Sequence, residues 1–187
     1  MRKANFFIIH GAYGHPKENW FPWLKEELER RGFEVFVPKF PTPKDQSLKN
    51  WMNVFKKYEK YINENTIMIG HSLGPSFILS ILEELDQPIK ACFFVSGFIG
   101  LLNHPIDKIN KAFVARDFNW EKIKRNCREF YLFHSDNDPY VPLEKAKELA
   151  KKLNGKLEIV KGAGHFNEAA GYKEFPLLLD KILKILK

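Results

Sequence analysis

Sulfur is scarce in this chain: its 187 residues carry only two cysteines, Cys92 and Cys127. Two thiols do not make a disulfide scaffold, and a chain this long buries enough surface to fold without one. Each cysteine lies beside an apolar run, as packed, reduced thiols of a cytoplasmic protein do. Long hydrophobic runs are absent too. No stretch approaches the roughly 20 apolar residues of a membrane helix, which argues against stable membrane insertion. Arg2 and Lys3 precede the short run Phe6-Phe7-Ile8-Ile9, a faint likeness to a secretory leader. That run is too short and passes into His10-Gly11 with no small-residue cleavage site. The basic excess, a net charge of +7, lacks density: 24 of the 30 basic residues are lysines spread along the whole chain. Several sit four residues from an acid, as in Glu26/Arg30, Glu27/Arg31 and Glu148/Lys152, the pattern of a solvated helix face. With no basic run interleaved with aromatics, no nucleic-acid partner is expected. Repeats, low-complexity tracts and linkers are missing as well. At 44% hydrophobic and 28% charged, the chain reads as one globular domain over residues 1–187. His15, His71, His104 and His134 have no zinc-ligand spacing, and neither a dinucleotide Gly-x-Gly-x-x-Gly nor a phosphate loop occurs. No metal or cofactor is therefore expected.

What is present is an alternation. Short runs rich in β-branched and aromatic residues at 5–10, 34–38, 66–70, 91–96, 129–134 and 156–161 read as strands. Helical patterns lie around 20–31, 48–62, 75–85, 142–153 and 168–186. Alternation of this kind implies βαβ units, a parallel sheet and right-handed crossovers. The strands are apolar on both faces (Cys92-Phe93-Phe94-Val95 is one), as expected of a sheet covered by helices on either side, a three-layer α/β fold. Residues 98–120 are the least regular segment, read as a small lid or an irregular crossover. The stripe Leu178/Ile182/Ile185 near the C-terminus, with Lys181, Lys184 and Lys187 opposite, reads as a helix packed on the sheet in preference to one lying on a membrane surface.

The chemistry concentrates after three strands. Gly70-His71-Ser72-Leu73-Gly74 joins a strand to a helix, the context in which Gly-x-Ser-x-Gly marks a nucleophile turn. A serine hydroxyl needs a base, and the base needs an acid to orient it. In this fold the chain order is serine, acid, histidine. Asp138, on the turn 135–142 after the fifth strand, and His165, within Gly162-Ala163-Gly164-His165-Phe166, follow in that order. Asp136 competes for the acid; Asp138 is preferred because it immediately precedes Pro139 on the turn into the next helix. The backbone N–H groups of Leu73 and of Ala12, in the loop His10-Gly11-Ala12-Tyr13-Gly14, are the expected oxyanion donors. Tyr13, His71, Trp20, Phe98 and Phe166 are the candidates to line a pocket. Trp20 is weighed evenly between pocket and core, and His71 is read first as a buried neighbour of the turn.

Taken together, His10-Gly11, Asn19-Trp20-Phe21-Pro22-Trp23-Leu24, Gly70-His71-Ser72-Leu73-Gly74, the turn 136–142 and Gly162-Ala163-Gly164-His165-Phe166 resemble the small α/β-hydrolases of the retinoblastoma-binding protein 9 and YdeN-like type. The resemblance runs nearly end to end. It implies a compact α/β-hydrolase with no large cap domain, and a triad at Ser72, Asp138 and His165; with it, an open, mostly parallel six-stranded sheet of strand order 2-1-3-4-5-6 is expected. Ester or amide hydrolysis of a small-molecule acyl substrate is expected, with a thioesterase, a small peptidase or a catalytically weak binding module as rivals. The retinoblastoma-binding Leu-x-Cys-x-Glu pattern is broken, since Arg125 stands where leucine would precede Cys127 and Glu129, so that partner is not implied.

Overall fold

β1 (Asn5–Ile9) is buried along its whole length, and its side chains divide strictly by position: Phe6 and Ile8 join the core on one face, Phe7 and Ile9 the core on the other. The same division repeats in β3 (Ile67–His71) and, after their first residues Ile89 and Cys127, in β4 (Ile89–Val95) and β5 (Cys127–Ser135). This structure, a computed structural model, describes residues 3–187; Arg2, half of the leader-like basic pair, lies outside the described residues. With β2 (Glu34–Phe36) and β6 (Lys156–Val160), the strands form one sheet in the order β2-β1-β3-β4-β5-β6, every neighbouring pair parallel.

Helices cover both faces. α1 (Phe21–Arg30) and α7 (Pro176–Leu186) lie on one, burying Phe21, Leu24 and Leu28, and Leu178, Leu179 and Ile182, respectively. The C-terminal stripe is thus buried against the sheet. The other face takes α2 (Leu48–Phe55), α3 (Gly74–Glu84), α4 (Asp107–Val114), α5 (Trp120–Arg125) and α6 (Leu143–Leu153). Each large side chain buried this way is worth roughly 1.5–3 kcal/mol of transfer free energy. Trp51 of α2 contacts Phe77 of α3 and Phe113 of α4 edge-on, with centroids 5.2 and 4.9 Å away, joining three helices through one ring.

The segment 98–120 takes the second of its two expected forms, a crossover built of α4 and the start of α5. Asp107 organises α4 with its carboxylate, which accepts from the N–H groups of Leu102 and His104; Asn119 caps α5 by accepting from Lys122 N–H. The helix expected over 168–186 is broken: a 3₁₀ turn at Glu168–Ala170 ends at Gly171, at φ 88°, and α7 starts afresh with Pro176. The pattern over 48–62 likewise divides into α2 and a 3₁₀ helix, Lys56–Tyr61. On the surface, Arg30–Glu26 and Arg31–Glu27 form the expected pairs at 2.7 and 2.8 Å, while Lys152 lies over the Trp120 ring. No helix of the described residues is long and apolar enough to cross a membrane.

Candidate active site

The order 2-1-3 reverses the direction of strand addition between β1 and β3, and crevices at such points, at the carboxyl ends of the strands, are where open α/β sheets bind ligands. The candidate residues all follow strand ends at this edge. Ser72 follows β3 directly, with φ 58°, a left-handed conformation that is costly for a side-chain-bearing residue. Its N–H donates to Val95 O of β4 at 2.9 Å, so the turn is held from the neighbouring strand. The flanking glycines are required by contact. A Cβ on Gly70 would sit 2.6 Å from Pro75 N, and one on Gly74 would strike the Ile9 carbonyl. The first loop comes equally close: a Cβ on Gly11 would lie 2.9 Å from Ser72 Cβ and 3.3 Å from Ser72 Oγ.

His165 and Asp138 meet directly. His165 Nδ1 lies 2.8 Å from Asp138 Oδ2 and 3.0 Å from Oδ1. A carboxylate only accepts, so Nδ1 carries the proton and Nε2 is left bare as a base. Asp138 Oδ1 also accepts from Tyr140 N–H at 2.9 Å and Val141 N–H at 3.1 Å. Burial pushes the Asp138 carboxyl up, but the His165 hydrogen bond and charge and the two backbone N–H bonds outweigh it and hold the group below its ordinary value. Asp136 points elsewhere, accepting from Gly162 N–H at 2.8 Å. Asn137 Oδ1 accepts from Gly164 N–H at 2.8 Å, and Ser135 Oγ from Ala163 N–H at 2.9 Å, so the turn 135–138 holds the histidine loop at four successive residues.

Two further imidazoles support this arrangement. His71, the residue before Ser72, donates from Nε2 to the His165 carbonyl at 2.8 Å. Burial pushes its pKa down to about 3, so it is neutral. His134 Nε2 donates to Val141 O at 2.9 Å and lies 3.9 Å from Asp138 Oδ2; burial lowers its pKa as well. His10 shapes the first loop. Its Nδ1 donates to Gly11 O at 2.8 Å and its Nε2 accepts from Phe40 N–H at 3.0 Å, which fixes one tautomer, and burial pushes its pKa down to about 4. Among the described residues the N–H groups of Ala12, which follows the Gly11 that abuts Ser72, and of Leu73, which follows Ser72, have no protein acceptor.

The expected pocket residues need correction. Trp20, Phe98 and Phe166 are fully or almost fully buried among core side chains. Trp20 instead donates from Nε1 to Phe166 O at 3.0 Å, anchoring the histidine loop. The Phe98 carbonyl accepts from the Ser76 hydroxyl, and Phe166 stacks on Phe175 with centroids 5.1 Å apart. His71 is buried too, between Trp20, Phe21 and His165. Only Tyr13 stands in solvent, 60% exposed. Sequence reasoning passed over Tyr140, which is 58% exposed with its ring edge-on to His165 at 4.9 Å. Its position two residues after Asp138 was the available signal.

The family model for serine hydrolases matches residues 6–184. The chain is 31% identical over 176 residues to YdeN of Bacillus subtilis (strain 168), covering 93% of this chain and 92% of that one. It is 31% identical over 148 residues to the serine hydrolase RBBP9 of Rattus norvegicus, covering 79% and 77%. The crystal structure of the B. subtilis ydeN gene product superposes with a TM-score of 0.92 at 30% identity, over 98% of this chain and 99% of that one. Est1E from Butyrivibrio proteoclasticus shares the fold, with a TM-score of 0.72 at 20% identity over 98% and 89%.

Proposed function

The chain belongs to the serine hydrolase family and is a hydrolytic enzyme, and on that premise we propose that it cleaves small carboxylic esters through an acyl intermediate on Ser72. The observation that carries this reading is the Asp138–His165 pair, bound through the His165 carbonyl to His71, the residue next to the strained Ser72. In the first half-reaction His165 Nε2 takes the Ser72 proton as Oγ attacks the carbonyl carbon. The oxyanion that forms is held by the Ala12 and Leu73 N–H groups. Collapse expels the alcohol, which leaves with the proton from His165. Water then repeats the sequence on the acyl-serine, releasing the acid and restoring Ser72. Asp138 keeps the imidazole in the tautomer with Nε2 free and stabilises its charged form. So written, the reaction uses no cofactor or metal.

Residues 1–187 act in this reading as one catalytic domain, with Tyr13 and Tyr140 as the aromatic surface beside the site. A reducing, cytoplasmic compartment suits the free, buried Cys92 and Cys127, the Cys92 thiol being pushed well up by burial and by its neighbour. A fluorophosphonate probe tests the mechanism. Wild type is labelled, Ser72→Ala is not, and His165→Ala is strongly suppressed. Asp138→Asn slows labelling by up to about 10⁴, whereas Asp136→Asn, which keeps an oxygen for Gly162 N–H, stays near wild type. The reverse ranking of the two variants reassigns the acid, and a folded wild type that never labels overturns the proposal. A panel of esters, thioesters and aminoacyl amides of graded chain length then fixes the substrate class.

A further inference from the structure

The loop that carries Ala12 is held from outside by a polar chain reaching across the molecule. Tyr13, at φ 59°, donates its N–H to Thr42 Oγ1 at 2.7 Å. The Thr42 hydroxyl donates in turn to Gln46 Oε1. At its other end the Gln46 amide donates from Nε2 to Asn110 Oδ1 at 2.8 Å and to Ile109 O at 3.1 Å, both on α4. Every donor in the chain has an acceptor and the directions are consistent, so the Gln46 amide has one orientation. Asn110 is itself buried, and α4 is fixed to the core through Phe113 against Trp51. The segment between, 39–46, is anchored from both sides: Phe40 N–H donates to His10 Nε2, and Trp51 Nε1 to Pro41 O at 2.8 Å.

We propose that Thr42 and Gln46 are positioning residues that fix the oxyanion loop by tying the Tyr13 peptide to α4. This rests on the reading of Ala12 and Leu73 as oxyanion donors. The Tyr13 N–H belongs to the peptide that follows Ala12, so the bond to Thr42 fixes the turn that aims the Ala12 N–H. Donors of this kind work because they are oriented before charge develops, and a displacement near 1 Å removes most of the benefit. Hydrogen bonds in series also polarise one another, so a break at one member weakens the rest. The irregular crossover 98–120 thereby holds the oxyanion donor from α4, without touching substrate. Thr42 and Gln46 lie 29 and 33 positions from Tyr13 in sequence and carry no motif.

The test compares Thr42→Val, Thr42→Ser and Gln46→Ala with wild type in three ways: ester hydrolysis, binding of an aryl boronic acid as a tetrahedral analogue, and amide exchange of Tyr13 by NMR. In Thr42→Val kcat falls roughly ten- to hundredfold while KM stays within about twofold. Boronate binding weakens by a similar factor, and Tyr13 exchanges at least about tenfold faster. Thr42→Ser, which keeps the hydroxyl, stays within about threefold of wild type on each measure, and Gln46→Ala moves in the direction of Thr42→Val by less. Wild-type exchange and kcat in Thr42→Val overturn the proposal, as does a serine variant that fails as badly as valine, since shape and not the hydroxyl would then matter. Should Thr42→Val not fold, unchanged Tyr13 exchange in Gln46→Ala overturns it. A wild type that resists fluorophosphonate defeats the triad reading instead, and Tyr13 exchange still decides the relay.

Discussion

The imidazole of His71 lies 4.8 Å from that of His165, centroid to centroid, and donates through Nε2 to the His165 carbonyl at 2.8 Å. The residue beside the proposed nucleophile therefore carries the loop of the proposed base. His71→Ala deprives a buried carbonyl of its donor and leaves a gap between Trp20 and Phe21, a loss of about 3 kcal/mol in unfolding free energy. It also frees the histidine loop, so fluorophosphonate labelling slows by more than about tenfold even at temperatures where the variant is folded. Glutamine places an N–H near the original Nε2, and His71→Gln recovers part of both losses. Urea unfolding and labelling rates measure the two effects separately; unaltered labelling in folded His71→Ala removes the link between the loops.

Acid weakens the fold before it reaches Asp138. His10 and His71 are buried and neutral, with pKa values pushed down by burial to about 4 and about 3 against 6.5 when unfolded, and His134 is lowered as well. Between the two limits the unfolded chain binds more protons than the native one, so stability declines as pH falls below about 6.5. The decline approaches about 1.4 kcal/mol per pH unit for each of His10 and His71. The Asp138 carboxyl is also lowered, from 3.8, so its stabilisation is complete above that value and is lost only further down. Urea titrations at pH 7, 6 and 5 give a falling unfolding free energy, and His10→Asn flattens the slope by close to one proton. A flat profile from pH 7 to 5 contradicts the burial of these rings as neutral species.

The parallel sheet with helices on both faces was legible in the sequence because its strands are apolar on both faces and separated by amphipathic helices; the strand order came with the likeness of the motifs to a known family. The serine turn, the acid turn and the histidine loop were legible because each follows such a strand. The two short helices α4 and α5, which lie within 98–120 and just after it, were not. α4 and α5 are eight and six residues long, too short for a periodic pattern, and the carboxylate that organises α4 sits inside the helix, at Asp107. Nor does sequence give a side chain's direction. Trp20, Phe98 and Phe166 lie near the site in the chain but turn inward, because aromatic rings beside a β-strand end fill the core as readily as a pocket. Thr42 and Gln46 were invisible for another reason: their bonds to Tyr13 and to α4 link backbone and side chains far apart in sequence, and no periodicity records such contacts.

Gly11 tests the closeness of the first loop to the nucleophile. A methyl group there would lie 2.9 Å from Ser72 Cβ and 3.3 Å from the His71 carbonyl, both parts of a turn held by β4. Neither can yield, so in Gly11→Ala the loop moves and takes the Ala12 N–H with it. Loss of one such donor corresponds to roughly 10²–10³ in kcat. The overpacking itself costs about 1–3 kcal/mol. Steady-state ester kinetics together with thermal unfolding test the pair of effects, the activity loss corresponding to about 2.7–4 kcal/mol of transition-state stabilisation. Wild-type kcat in this variant excludes the loop from the oxyanion site.

Tyr140 is an exposed aromatic ring against the proposed base. Its N–H donates to Asp138, its ring meets His165 edge-on at 4.9 Å, and 58% of it is exposed. The backbone bond is independent of the side chain, so Tyr140→Ala keeps the acid turn while removing an aromatic surface beside the site. An aromatic contact of this kind is worth about 0.5–1.5 kcal/mol beyond its area, enough to separate aryl from alkyl leaving groups several-fold. For aryl esters KM rises several-fold in Tyr140→Ala with kcat within about twofold, and Tyr140→Phe behaves as wild type because the ring, not the hydroxyl, makes the contact. For short alkyl esters both constants stay near wild type, and Tm is unchanged because the ring is largely in solvent. Equal effects on aryl and alkyl esters rule out a stacking role, and a fall in kcat alone places the effect on His165 instead.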